Sequence, residues 1–226
     1  MITNDFDEFY RGWDEKYQEQ SDDEKAWSSD PQPFIAAAVE RFQEPSNVVD
    51  LGSGDGRNSI PFAATGHRVT AVDLSPTALQ QLMDNFHEHG FAQPTAVRAN
   101  IEDLPLASNQ FDLAIVADTL PQVRHVRRAT EEVHRILKPG GTCLVNLFTP
   151  DDCAFGEGEE IAPCSFVYRG CLFNFYRSDD AHRLFHGLFN VLHEELVTWT
   201  DPPHRPFRPY EHQHEALVFQ LQKPRG

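Results

Sequence analysis

The chain has 226 residues, which at about 150 residues per domain is one domain with an appended segment and a core of its own. Its 19 Lys and Arg against 35 Asp and Glu leave a net charge of −16, which repels polyanions and sets nucleic acid and anionic membrane surfaces aside as partners. No apolar run approaches the ~20 residues that span a bilayer, and residues 1–7 are acidic where a secretory signal begins basic, so the expectation is a soluble cytoplasmic protein, monomeric or homodimeric.

The first elements form an arm over residues 1–45. Phe6, Phe9, Tyr10, Trp13 and Tyr17 recur at three- and four-residue steps, which predicts an amphipathic helix with an aromatic face, suited to act as a lid. Asp30 and Pro31 predict the start of a second helix whose Phe34, Ile35, Ala38, Val39 and Phe42 form an apolar stripe.

From residue 46 to 226 the pattern becomes strand, turn, helix, repeated, the signature of a parallel sheet covered on both faces. Strands are expected at 48–51, 68–72, 95–99, 111–117 and 142–148. The intervening helices lie at 58–65, after Ser75-Pro76, and through Val126 to Leu137, the last one stopped by Lys138-Pro139-Gly140-Gly141. Residues 149–177 read as a loop-rich insertion. The remaining 178–226 hold a helix capped near Ser178 and two strands, 191–199 and 215–222, whose four-proline connector is long enough for an antiparallel pair.

The four cysteines, Cys143, Cys153, Cys164 and Cys171, contain no C-x-x-C pair and read as free thiols, with no metal centre expected. His182 and His186 are one helical turn apart but lack a third ligand. Four Lys against fifteen Arg fits a salt-tolerant proteome.

The glycine run Gly52-Ser53-Gly54-Asp55-Gly56 after the first strand permits positive φ and close approach of a ligand to the backbone. Asp73, about twenty residues on, closes the second strand where a carboxylate can accept both hydroxyls of a ribose. Asp50 and Asp55 would repel a pyrophosphate and attract a sulfonium and an ammonium.

Five segments in order, 48–56, 71–75, 100–105, 111–116 and 137–141, resemble the class I S-adenosylmethionine-dependent methyltransferases. The resemblance implies an α/β, Rossmann-like, doubly wound sheet of seven strands, mostly parallel with an antiparallel last strand. It also implies S-adenosylmethionine as cofactor and S-adenosylhomocysteine as product. On this chain it assigns Asp50, Gly52, Ser53, Gly54 and Ala117 to the methionine part, Asp73 to the ribose, and Leu74, Asn100 and Ile101 to the adenine.

Asn100 stands where many relatives have Asp, which exchanges a pure acceptor for a mixed donor and acceptor. Asp55 to Ser59 and the histidine-rich last strand look most like the tellurite-resistance and thiol methyltransferase branch. Cys153, Cys164 and Cys171 bear a fainter resemblance to the metalloid-holding thiols of arsenite methyltransferases.

Methyl transfer by in-line displacement needs alignment, dryness and a place for the acceptor's proton. Candidate bases are His204, His212 and His214 around the proline-rich connector, and Tyr10, Trp13, Tyr17 and Gln122 are candidates for contact with a small-molecule acceptor. Two other readings remain open at this point. One is a nicotinamide-dependent oxidoreductase, disfavoured by the loop spacing and the absence of Tyr-x-x-x-Lys; the other is a cofactor-binding regulator without catalysis.

Overall fold

The computed structural model describes residues 7–19, 30–201, 203, 208 and 210–225, the first five by backbone alone. In chain order the elements are α1 (Asp7–Glu19), α2 (Pro33–Val39), β1 (Asn47–Leu51), α3 (Ile60–Ala64), β2 (Arg68–Asp73), α4 (Pro76–Glu88), β3 (Thr95–Arg98), β4 (Phe111–Val116) and α5 (Val126–Ile136). There follow β5 (Leu137–Phe148), β6 (Glu159–Ala162), β7 (Ser165–Tyr168), β8 (Cys171–Asn174), α6 (Ser178–Phe185), β9 (Asn190–Asp201) and β10 (His212–Gln222).

Seven strands form one sheet in the order β3-β2-β1-β4-β5-β10-β9. β1 to β5 pair in parallel, and β10 runs antiparallel to both β5 and β9, so the last strand of the chain alone points the other way, as the resemblance implied. The central strands alternate their side chains between two buried faces. Val49, Leu51, Ala114 and Val116 join Val133 and Ile136 of α5 and Phe185 of α6 on one side. Val48, Leu113 and Ile115 join Ile35 of α2, Phe62 of α3 and Leu82 and Phe86 of α4 on the other. Each fully buried Phe or Leu of this kind contributes roughly 1.5–3 kcal/mol.

Local details differ from the sequence expectations for physical reasons. The second helix starts at Pro33, because the extended Gln32 (φ −55, ψ 138) before a proline serves as its cap, so Asp30 and Pro31 lie outside it. α3 begins at Ile60 rather than 58, after a turn in which Ser59 N donates to Gly56 O at 3.0 Å.

The Lys138-Pro139-Gly140-Gly141 segment does not separate α5 from the next strand, because β5 already starts at Leu137. Leu137 pairs with Phe111, the register then shifts, and Gly140 (φ 82) and Gly141 exchange backbone hydrogen bonds with Lys223. β9 and β10 also extend beyond the expected ranges, to twelve and eleven residues, because pairing with each other carries the ladder to His212 and Asp201.

The largest departure is the insertion, whose middle is a three-stranded antiparallel sheet, β6-β7-β8, where a loop was expected. Its second turn joins Tyr168 to Cys171 through Arg169 (φ 50) and Gly170 (φ 72), two successive left-handed residues as a type I′ hairpin requires. Phe166 of β7 and Phe175, just past β8, pack with Phe148 at the end of β5 and with its β10 partner Ala216, which places the small sheet over the carboxyl edge of the large one. α1 reaches the same edge. Asp14 Oδ1 accepts from Ser75 Oγ at 2.6 Å and from Thr77 N at 3.3 Å, fixing α1 to the start of α4. A side chain on Gly12 would collide with Gly170 O at 2.6 Å, so α1 packs backbone-close against the β7–β8 turn.

Candidate active site

A cavity of about 240 Å³ lies over the carboxyl ends of β1, β2 and β4, at the point where the strand order reverses between β1 and β4. Its floor is the glycine turn. Gly52 (φ 71), Gly54 (φ 54) and Gly56 (φ 91) are all left-handed, and the amides of Gly52 and Ser53 donate to Val72 O at 2.8 and 3.0 Å. A Cβ on Gly52 would lie 2.2 Å from Thr119 Oγ1, and one on Gly54 2.3 Å from Tyr17 Oη, so the turn leaves no room for side chains.

Asp73, at the end of β2, lines the cavity and is aimed by two backbone donors, Gly54 N to Oδ2 and Ser75 N to Oδ1, both at 2.9 Å. Burial raises its pKa despite these bonds, and each oxygen keeps a lone pair for a further donor. Leu74, Ala99 and Ile101 complete the apolar wall beside it.

Gly52, Ser53, Gly54, Asp73, Leu74, Ile101 and Ala117 all line this cavity, and Asp50 and Asn100 do not. Asp50 is buried behind the turn at 1% exposure, with Oδ2 lacking a hydrogen-bond partner among the described residues. Burial lifts its pKa from 3.8 to about 7, against a hydrogen bond from Ser59 and with repulsion from Asp73. The Asn100 side chain is used locally, where Oδ1 accepts from Glu102 N at 2.9 Å. Ser53 Oγ is likewise buried without a partner among the described residues. A turn without room for a Cβ at Gly52 or Gly54, with the Asp73 carboxylate at one end and the unpartnered Ser53 hydroxyl within it, fits the polar end of an aminoacyl nucleoside.

The wall opposite the turn comes from four segments. α1 contributes Trp13, Lys16 and Tyr17, and the Tyr10 side chain lies outside the described residues. The segment after β4 contributes Asp118, Thr119 and Gln122. Asp118 holds a left-handed backbone (φ 55) and gathers Gln32 Nε2 at 2.6 Å, Arg57 at 2.7 Å and Asn146 Nδ2 at 2.7 Å, tying α2, the glycine loop and β5 together. Tyr168 and Phe173 come from the small sheet, and Trp199, Asp201, Arg208 and His214 from the terminal hairpin region.

Of the three histidines, His214 lines the cavity and His212 does not, while His204 lies outside the described residues. His214 stacks on Trp199 at 5.1 Å, and its Nδ1 donates to Asp152 Oδ2 at 2.9 Å. Asp152 is wholly buried and held by Glu215 N at 3.0 Å and Ala154 N at 2.8 Å. On the other side of the ring, Nε2 lies 3.7 Å from Asp201 Oδ2. Burial disfavours the charged ring, but the bonds to Asp152 and Cys153 outweigh it and push the pKa to about 10, so at neutral pH His214 is an imidazolium rather than a free base. His212 is buried, its Nδ1 donates to Tyr210 O at 3.0 Å, and burial lowers its pKa. Cys153, His212 and His214 place ligand-capable atoms within 4.8 Å of one another, the one such His and Cys group among the described residues.

A sheet of this order, with a close-packed glycine turn after its first strand and a carboxylate closing the second, defines a doubly wound α/β protein. Residues 49–145 match the family described as a methyltransferase domain. An uncharacterized methyltransferase of Synechocystis sp. is 34% identical over 111 residues, 48% of this chain and 50% of that protein. The chain spans about half the length of that curated relative, and the matches to three mycobacterial proteins cover 37% of theirs.

Among solved structures, one described by the conversion of a disulfide bond into a thioacetal group during echinomycin biosynthesis superposes with a TM-score of 0.76 at 18% identity, covering 96% of this chain and 94% of that one. The 1,6-didemethyltoxoflavin-N1-methyltransferase of Burkholderia thailandensis, solved with 1,6-didemethyltoxoflavin and S-adenosylhomocysteine bound, gives 0.63 at 22% identity over 85% and 77%. At these identities the likeness is one of fold. No described helix is long and apolar enough to cross a membrane.

Proposed function

We propose that the protein transfers a methyl group from S-adenosylmethionine to a small-molecule acceptor, releasing S-adenosylhomocysteine. The observation that carries this reading is the continuity of one cavity from Asp73 and the Gly52–Gly54 cradle to the aromatic wall of α1, the small sheet and the terminal hairpin. Asp73 receives the ribose hydroxyls, Leu74, Ala99 and Ile101 flank the adenine, and Gly52, Ser53, Gly54 and Ala117 bound the methionine part. Asp50 supplies negative charge from behind the turn, and Asn100 acts through the backbone it holds.

When bound, the sulfonium supplies an electrophilic methyl group. The chain's own residues then align the acceptor, worth roughly 7–11 kcal/mol of the barrier, and keep water out. Trp13, Tyr17 and Gln122 define the acceptor side. The Asp201 carboxylate beside the His214 imidazolium receives the acceptor's proton, and His214 steadies that carboxylate by its charge. The protein is placed in the cytoplasm, in keeping with its four free cysteines.

The features that resembled the tellurite-resistance and thiol branch have other duties in the fold. Asp55 is buried and its carbonyl accepts from Asn85 Nδ2 at 2.8 Å, while His212 and His214 are held in the hairpin as described.

Isothermal titration with S-adenosylmethionine and with NAD tests the reading. S-adenosylmethionine should bind, and Asp73→Ala should lose roughly 1.5–3 kcal/mol for each ribose hydroxyl bond removed. Binding of NAD alone, or unchanged affinity in Asp73→Ala, would overturn it.

A further inference from the structure

The acceptor end of the cavity carries a charge opposite to that of the chain. Against a net charge of −16 and only four lysines, one lysine, Lys16, is buried at 6% exposure and lines the cavity. Its Nζ lies 4.1 Å from the centre of the Trp13 ring and 5.7 Å from that of Phe173. Arg208 lines the same wall with its side chain 11% exposed. Its Nη2 donates to Glu157 Oε2 at 2.7 Å, while the buried Nε has no hydrogen-bond partner among the described residues. Arg169, over the Tyr168 ring at 5.6 Å, adds a third cation near this wall. Burial pushes the Lys16 ammonium below its ordinary pKa against the influence of Cys171, and the charges of Arg169 and Arg208 press the same way. The aromatic rings around these cations present flat faces, with Trp13 and Phe173 at 6.3 Å on one side and Trp199 stacked on His214 on another.

We infer that the methyl acceptor is a planar aromatic acid, its ring held among Trp13, Phe173 and Trp199 and its anionic group held by Lys16 and Arg208. This rests on the methyltransferase reading and sharpens it to a substrate class. Flat faces fit a conjugated ring and reject a bulky aliphatic one. An anion supplies the Arg208 Nε–H with an acceptor and compensates an ammonium that burial has taken from water, which a neutral acceptor cannot do.

The cations make contacts with the small sheet and the insertion. Lys16 and Tyr17 are neighbours on α1 and diverge: Tyr17 Oη packs on Gly54, whereas Lys16 turns to Phe173 and Cys171 of the small sheet. Arg208 is anchored to Glu157, from the insertion and far in sequence from the glycine turn.

The test is isothermal titration of the full chain, saturated with S-adenosylhomocysteine, with 2-naphthoate and with 2-naphthamide, which has nearly the same shape without the charge. The acid should bind at least ~10-fold more tightly, the scale of a charge-assisted hydrogen bond. Lys16→Met, which removes a buried charge at nearly constant length and so preserves the fold, should abolish that preference, and Arg208→Gln should reduce it. Both variants should keep the wild-type affinity for S-adenosylhomocysteine.

Acid binding no more tightly than amide, including binding by neither, overturns the inference and leaves the cofactor reading standing. Weakening of S-adenosylhomocysteine by Lys16→Met with no effect on 5′-methylthioadenosine, which lacks the amino acid, overturns it as well, by assigning the cations to the cofactor's carboxylate. Failure of the wild type to bind S-adenosylhomocysteine removes the underlying reading and the inference with it.

Discussion

Asp50→Asn sets fold stability against cofactor binding at one atom. The carboxyl is 1% exposed, Oδ2 has no hydrogen-bond partner among the described residues, and burial raises its pKa from 3.8 to about 7. Because the folded pKa is the higher one, folding is favoured most below pH 3.8, and the penalty grows until pH 7, above which it is complete. A rise of about three units corresponds to at most about 4 kcal/mol. Asparagine removes the charge at constant shape and can still accept from Ser59, but its NH₂ needs a partner, which costs about 1–3 kcal/mol.

Asp50→Asn should therefore stabilise the ligand-free protein by about 1–3 kcal/mol at pH 8 and be neutral or destabilising at pH 4. In urea melts this appears as a shift of midpoint at constant slope. S-adenosylmethionine should protect the variant less than the wild type, since the negative charge behind the turn is gone. Destabilisation at pH 8, or the same shift at both pH values, would refute the account of Asp50 as a carboxylate kept at a cost for its ligand.

Gly54→Ala should destabilise by about 1–2 kcal/mol through its positive φ alone, and more through the clash with Tyr17 Oη at 2.3 Å. Tyr17→Phe in the same chain should restore part of the melting temperature, and no restoration would mean that α1 does not press on the turn. Asp118→Ala should cost about 3–5 kcal/mol by leaving the part-buried Arg57 without its carboxylate, and Asp118→Gly should lie about 1 kcal/mol above it because φ is 55 there; equal melting of the two variants would contradict the strained backbone. His214 has a folded pKa of about 10, above its unfolded value near 6.5, so its contribution is full below pH 6.5 and lost as pH rises to 10. Urea stability of the wild type should fall by roughly 2–4 kcal/mol relative to His214→Gln across that window, and parallel pH profiles would remove the imidazolium.

The parallel half of the fold was legible because each of its elements is specified locally. Runs such as 111–116 are buried on both faces and read as continuous apolar strands, and Gly52 and Gly54 stand where backbone and side chains approach too closely for a Cβ. The small sheet was illegible because its strands are four residues long and two of its turn residues, Cys164 (φ 59) and Arg169 (φ 50), are left-handed without being Gly or Asn. The glycine turn and the end of β2 follow the sheet edge in chain order, so spacing alone put Asp73 and Leu74 in one cavity with the turn. Lys16, Asp152, Asp201 and Arg208 come from four separate segments and meet through tertiary packing alone. His214 could be singled out as a histidine, but its proton is set by Asp152, 62 residues away, which no local pattern reports.

The central claim is that the Gly52–Gly54 cradle and Asp73 hold the cofactor of a methyl transfer at the mouth of an aromatic, cation-bearing acceptor pocket. A crystal structure of the chain with S-adenosylhomocysteine tests it most directly. The account predicts both ribose hydroxyls on the Asp73 carboxylate, the amino-acid end over Gly52 to Gly54, and the sulfur facing the wall of Trp13, Phe173 and His214. A nucleoside bound elsewhere, or one whose ribose points away from Asp73, would contradict it.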